Sequence, residues 1–496
     1  QLWSLVYVFT PLLFVFISCS TKNTDYSTDT HPNILLVFTD QQNVNMMSVM
    51  ENPNLVTPNM DKLAHQGIMF MESYCTSPVC GPARSSIISG RMPHETGVEW
   101  NGDIMKEDVE NAGEIFRKAG YNTIWAGKWH LPESYPQRAK AKEKEIKGFN
   151  LLSFWDPNKD RWMLGAETDP PLTEAVVEFL NNYDSDKPFF MGVSYHNPHD
   201  ICFYPRKDGW FTENDSLLEI RHYGFKHKLP DPIGIHPDQV DVLPPLPFNH
   251  ETHNEEPDFI KDKRMDHDEY GMETKLANLE FNENEWRGYY NAYCRLTEMV
   301  DIEIGKVMDA LDRNGLKENT LVVFTSDHGD GAGSHKWAAK LSLYEESSKV
   351  PLILKWPAHI PSMQVDKNHL VSQIDILPTI LDYADVKTDV EFTGSSLRCI
   401  IENQNAKWRE YLIVELADYK PDSSRKGRMI RSEKYKYNVY SLGKNNEQLF
   451  DLTNDPGEMN NLIDDPDYKL VIENHKKMLK EWIDMTDDDF ILSKTN

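Results

Sequence analysis

The run Asn33-Ile34-Leu35-Leu36-Val37-Phe38-Thr39-Asp40-Gln41-Gln42 is a block of apolar residues cut off abruptly by polar ones. Without polar alternation, such a block reads as a parallel strand buried on both faces. The pattern recurs in Thr320-Leu321-Val322-Val323-Phe324-Thr325-Ser326-Asp327-His328-Gly329-Asp330. It occurs again in Pro188-Phe189-Phe190-Met191-Gly192-Val193-Ser194, which empties into Tyr195-His196-Asn197-Pro198-His199-Asp200. Open α/β folds place their ligands at the carboxyl ends of such strands. Asp40 and Gln41, His196 and His199, and Asp327 and His328 are therefore expected at one edge of one sheet.

Outward from these strands, periodicity and caps predict helices over 59–65, 109–119, 173–183 and 285–314, with Gly67, Gly120 and Gly315 as stops. Further strands are expected over 122–125 and 350–355, and a helix opening within 371–383. Strands alternating with helices imply an α/β chain with a large, mostly parallel sheet between helices. After Glu402 the texture changes to short alternating segments, at 411–416, 427–431, 434–440 and 448–452, followed by a helix over 468–484. That reads as a smaller antiparallel sheet plus a helix. The expected division is 1–30, 31–402 and 403–496. Residues 132–171 are irregular and charged. The stretch 201–282 is rich in Pro, Asp, Glu and His, and is expected to form short elements roofing the site.

The chain has 496 residues and a net charge of −27, which argues against a nucleic-acid partner or direct binding to an anionic membrane. An anionic substrate then requires a local basic pocket within an acidic exterior. Residues 3–17 are almost wholly apolar and too short to span a bilayer, which fits the core of an export signal. The run ends Phe16-Ile17-Ser18-Cys19-Ser20, similar to a bacterial lipoprotein cleavage site with Cys19 as lipid-bearing residue. Residues 21–30 would be a polar tether. Gln1 opens the chain with no Lys or Arg ahead of the apolar run, so an upstream start is expected. The expected location is the periplasm, outer membrane or cell surface of a bacterium, with membrane contact only through the lipid. Cys75, Cys202, Cys294 and Cys399 show neither metal-ligand spacing nor a disulfide framework.

Ser77-Pro78-Val79-Cys80-Gly81-Pro82-Ala83-Arg84-Ser85-Ser86, closed by Gly90-Arg91, places a cysteine at a helix start. Pro82 suits the first turn and Gly90 a left-handed cap. A helix start offers free N–H groups and partial positive charge, and Arg84 adds a planar fork suited to oxyanions. Two carboxylates with an amide oxygen suit a hard cation, Ca²⁺ or Mg²⁺; a His328 nitrogen leaves Mn²⁺ open.

Cys80-x-Pro82-x-Arg84 with Gly90-Arg91 resembles the signature of the type I, formylglycine-dependent sulfatases of the alkaline-phosphatase-like superfamily. The resemblance extends to Asp40-Gln41, Gly127-Lys128-Trp129-His130, Pro198-His199, Asp327-His328-Gly329, Lys340, and the late run Leu449-Phe450-Asp451-Leu452-Thr453-Asn454-Asp455-Pro456-Gly457-Glu458. It implies the alkaline-phosphatase-like sandwich and oxidation of Cys80 to formylglycine by a formylglycine-generating or anaerobic sulfatase-maturing enzyme. It implies metal ligands Asp40, Gln41, Cys80, Asp327 and His328, and catalytic Cys80, Arg84, Lys128, His130, His199 and Lys340. Lys336 competes with Lys340. Many relatives carry a second aspartate at Gln41 and an asparagine at His328, which lowers the charge here.

In the implied chemistry a hydroxyl of the formylglycine hydrate attacks sulfur, His199 or Lys340 protonates the departing oxygen, and His130 deprotonates the second hydroxyl. His196 and His335 are candidate substrate contacts. The expected function is hydrolysis of sulfate esters on a glycan, either an algal polysaccharide or a glycosaminoglycan. A phosphodiesterase or phosphonate monoester hydrolase of the same superfamily is the alternative enzyme. A non-catalytic sulfoglycan-binding protein is the alternative of another class.

Overall fold

The computed structural model describes residues 31–131, 145–152, 164–203, 218–222, 225–229, 243–252, 255–266, 274–357, 359–418 and 425–491. The apolar start, Cys19 and the tether lie outside these residues, as does much of 132–163 and 204–242.

Nine strands form one sheet in the spatial order Gln364–Asp366, Ile68–Phe70, Leu352–Lys355, Thr320–Ser326, Asn33–Asp40, Phe189–Pro198, Asn122–Gly127, Phe149–Leu151, Glu145–Ile146. Asn33–Asp40 lies at the centre, parallel to Thr320–Ser326 on one side and Phe189–Pro198 on the other. Its alternate residues feed two cores. Ile34, Leu36 and Phe38 pack with Ile87, Ile88, Ile115 and Phe116. Leu35 and Val37 pack with Val176, Leu180, Val300, Ile304 and Val307 from helices on the opposite face. Each such buried side chain contributes about 1.5–3 kcal/mol, against about 1–2 kcal/mol for ordering its backbone. A central strand is therefore strongly specified by its own sequence.

The second sheet is antiparallel and runs in chain order through Tyr411–Ala417, Lys426–Ser432, Tyr435–Tyr440 and Glu447–Asp451. One face (Leu412, Val414, Leu416) packs with Tyr74, Val79 and Trp337 of the main body. The other face (Ile413, Ile430, Tyr437) packs with Ile472 and Leu479 of the final helix, Lys469–Thr486. The described residues from His31 onward form one compact unit. The expected boundary near residue 402 falls in the link between the helix Arg398–Glu402 and the strand Tyr411–Ala417.

Several elements differ from expectation. The helix expected over 173–183 is Gly165–Asn181, with Pro170 and Pro171 inside it. The Asp200 carboxylate accepts from the N–H groups of Gly165 and Ala166 at 2.8 and 2.9 Å, so a cap from far along the chain starts the helix before the prolines. The helix expected over 109–119 is Ala112–Lys118, because Asn111 and Glu114 form a reciprocal capping box. Leu352–Lys355 runs antiparallel to its neighbours. Val371–Ser372 is a strand paired with Ser73–Tyr74, and the helix begins only at Ile376. Strand pairs Leu218–His222 with Phe225–Leu229, and helices Asp258–Asp266 and Thr274–Glu280, are the short elements expected in 201–282.

Candidate active site

Thr39 pairs with Ser326, and Asp40 with Pro198, so the three central strands end at one level. They release Asp40, His196 to His199, and Asp327 with His328 beside the helix Cys80–Ser89. That helix is capped by extended Val79 without a side-chain bond, and Gly90 closes it at φ 67°. Cys80 is its first residue. The Lys340 ammonium donates to Cys80 Sγ at 2.9 Å. His328 Nε2 lies 3.1 Å from the sulfur and Asp40 Oδ1 lies 3.7 Å from it.

Arg84, one turn along, spans the centre. Nε donates to Asp327 Oδ2 and Nη2 to Asp40 Oδ2, each at 2.8 Å. Nη1 donates to the Lys128 carbonyl and to Ser194 Oγ, also at 2.8 Å. The oxyanions its fork holds are therefore the chain's own carboxylates. Lys128 forms an ion pair with Asp40. Gly127 before it sits at φ 94°, where an added Cβ would lie 2.0 Å from Ser194 O, so the backbone runs close against the strand Phe189–Pro198. Of the two candidate lysines, Lys340 is at the sulfur, whereas Lys336 pairs with Glu251 and is 38% exposed.

These charges set the protonation of the ring. Burial opposes ionisation of Asp40, but Lys128, His199, Arg84 and Lys340 hold its carboxyl well below the usual range. Burial and Asp40 also oppose a Cys80 thiolate, yet Lys340, Lys128 and His328 bring the thiol down to about 6. Burial, then Lys128 and Arg84, push the His130 imidazole well below its usual value. Burial and Lys128 do the same to His199.

Asp40, Cys80, Asp327 and His328 each turn one donor atom into a common space, all within 4.8 Å of one another. His328 Nδ1 is spent on the Gly329 carbonyl at 2.9 Å, which leaves Nε2 facing that space. Carboxylates, a thiol and an imidazole whose second nitrogen is anchored to backbone form a donor set that fits a divalent cation. The fifth expected ligand, Gln41, has its amide engaged elsewhere. It donates to Asp330 Oδ2 at 2.7 Å and to Cys202 Sγ at 3.0 Å, and its oxygen accepts the Cys202 thiol.

His196 is buried near these groups: burial first, then Lys128, Asp40, Arg84 and His130, act on its imidazole. The His335 imidazole stacks on Tyr344 at 3.8 Å and groups with Glu346 and Glu458, whose donor atoms lie within 4.8 Å of one another. The His335 backbone sits at a positive φ of 53°. Residues that sequence reasoning missed include Ser194 and Asp330. Gln373 was also missed; its amide donates to the carbonyls of Ser326 and Asp327 at 2.7 Å each. Asp330 stood in the quoted Asp327-to-Asp330 run; Ser194 and Gln373 carry no local signal.

Residues 32–386 match the model of the sulfatase family, and residues 333–485 match the C-terminal model of N-sulphoglucosamine sulphohydrolase. The chain belongs to the sulfatase family. It is thus a sulfuric ester hydrolase with the alkaline-phosphatase-like α/β fold. This sulfatase is 30% identical over 469 residues to the Delta 4,5-hexuronate-2-O-sulfatase of Bacteroides thetaiotaomicron, covering 92% of this chain and 90% of the relative. It is 27% identical over 493 residues to the N-acetylglucosamine-6-O-sulfatase of the same organism, covering 91% and 86%. The solved structure of a 2-O GAG sulfatase superposes on it with a TM-score of 0.75 at 28% identity, covering 93% of this chain and 94% of that one.

Proposed function

We propose that this sulfatase removes sulfate from a carbohydrate, with formylglycine made from Cys80 by a maturing enzyme and a divalent cation, calcium in first place, held by Asp40, Asp327, His328 and residue 80. The observation that carries this reading is the crowding of Lys340, His328 and Asp40 around one sulfur at the start of a helix. The Cys80 thiol described above stands in for the oxygens of the modified residue. The substrate class is supported by relatives whose names specify hexuronate and N-acetylglucosamine sulfates.

When present, the cation would supply charge neutralisation and the modified residue an oxygen nucleophile. The chain's own residues do the rest. Arg84 fixes Asp40 and Asp327 relative to each other. Lys128 and Lys340 set positive charge where a sulfate ester must sit, which favours its binding and the charge that grows on the departing oxygen. His199 or Lys340 passes a proton to that oxygen; an anionic ester beside His199 offsets the burial and the Lys128 charge that disfavour its imidazolium. Burial with Lys128 and Arg84 keeps His130 neutral, the form a base needs. A plain cysteine or serine has no second hydroxyl for that base to deprotonate. The proposal includes export and a lipid at Cys19, outside the described residues.

The test is desulfation of defined sulfated oligosaccharides by protein coexpressed with a maturing enzyme, alongside the mass of the tryptic peptide carrying residue 80. Sulfate release with a converted residue supports the reading. Release at the same rate from unconverted protein would overturn it.

A further inference from the structure

His196 is 6% exposed, and among the described residues its Nε2 has no hydrogen-bond partner. A buried polar nitrogen left open near the charges of the ring calls for a ligand. Which kind depends on its proton. Thr168 Oγ1 lies 2.9 Å from the Leu164 carbonyl and 3.2 Å from His196 Nδ1; with its one proton on the shorter bond it accepts from Nδ1. Asp169 Oδ1 lies 3.9 Å from Nδ1 and accepts from the His196 backbone N–H at 2.8 Å, while Oδ2 accepts from Asn197 N–H at 3.0 Å. Nδ1 thus faces two acceptors, and the hydrogen-bond network assigns it the proton. Nε2 is left with a bare lone pair. Burial, reinforced by Lys128, brings the imidazole down to about 3, so it is neutral.

We propose that His196 accepts a hydrogen bond from the substrate, and so selects a sulfate ester with a free hydroxyl or amide N–H beside it over one with a second anionic group there. This rests on the glycan-sulfatase reading above. His196 stands three residues before His199, the residue read above as a donor to the departing oxygen. A sulfate or carboxylate oxygen brings no proton to Nε2 and sets a negative charge against a lone pair. A deoxy position leaves the nitrogen unpaired and desolvated. Sites that pair a substrate hydroxyl reject analogues lacking it more firmly than apolar pockets do.

The experiment uses matured wild-type protein. After the oligosaccharide panel fixes the reacting position, the methyl glycoside of that monosulfated sugar is compared with analogues carrying hydrogen, O-methyl or O-sulfate at the adjacent carbon. The expected result is a fall in kcat/KM of about tenfold or more for the hydrogen and O-methyl analogues, and a larger one for the O-sulfate. His196→Ala is expected to shrink the hydroxyl-to-hydrogen ratio, and His196→Gln, which keeps an acceptor, to retain part of it. Equal kcat/KM across the wild-type series, or preference for the O-sulfate, overturns the proposal. NMR of histidine-labelled protein tests the tautomer without any substrate: a bare Nε2 supports the proposal and a protonated one overturns it. Absence of turnover on every sugar and on an aryl sulfate overturns the sulfatase reading itself, whatever the tautomer.

Discussion

His94 sits in the short helix Pro93–Thr96, just beyond the Cys80 helix, and both its ring nitrogens face acceptors. Nδ1 lies 2.5 Å from Glu415 Oε1, and Nε2 lies 3.1 Å from the Thr486 carbonyl. Only an imidazolium can donate from both. Its side chain is 7% exposed. Burial disfavours the charge, but Glu415 and Asp488 outweigh it and, against the opposing Arg428, raise the imidazole to about 9. A rise from 6.5 to about 9 corresponds to roughly 3 kcal/mol of linkage. Because the folded value lies above the unfolded one, this stability is complete below about pH 6.5 and is lost as pH climbs through 9. The perturbation is His94→Gln, assayed by urea denaturation at pH 6, 7.5 and 9.5. Wild type is expected to lose about 3 kcal/mol more than the variant between the ends of that range. Parallel losses in the two proteins would refute the reasoning and remove the charged tie between the short helix Pro93–Thr96 and the C-terminal sheet.

Arg84→Lys replaces a fork that serves Asp40, Asp327, Ser194 and the Lys128 carbonyl with one ammonium. Asp40 keeps Lys128, but one ammonium cannot replace the bonds to both carboxylates, Ser194 and the Lys128 carbonyl, so urea denaturation is expected to show a loss of about 1–3 kcal/mol, together with lost turnover. Gly127→Ala drives a Cβ to 2.0 Å from Ser194 O at φ 94°; a lower Tm and loss of activity are expected, and a wild-type melt with wild-type turnover would count against the close approach. Side-by-side turnover of an aryl sulfate and a phosphate diester is expected to favour the sulfate; the reverse order supports the phosphodiesterase alternative.

The three central strands were legible because each is an unbroken apolar block ended by polar residues, and burial on both faces leaves little choice of conformation. Cys80, Lys128, Lys340 and Asp327 were legible because their motifs are short and local. Strand direction was not, since nothing in the hydrophobic pattern of Leu352–Lys355 distinguishes antiparallel from parallel pairing. The start of the helix Gly165–Asn181 was hidden because its cap, Asp200, lies well downstream and Pro170-Pro171 reads as a boundary. Gln41 looked like a ligand from its place beside Asp40; its engagement by Asp330 and Cys202 depends on residues brought in from two other parts of the chain. His335 was read as a candidate substrate contact; its stacking on Tyr344 and its grouping with Glu346 and Glu458 carried no local signal.

The central claim is that residue 80, once oxidised, is the group on which desulfation depends. The most direct measurement is inorganic sulfate released from the oligosaccharide panel by matured wild type and by Cys80→Ala at equal concentration, with the two melts compared. The account predicts release by wild type, none by the variant, and matching melts; equal release by both would contradict it.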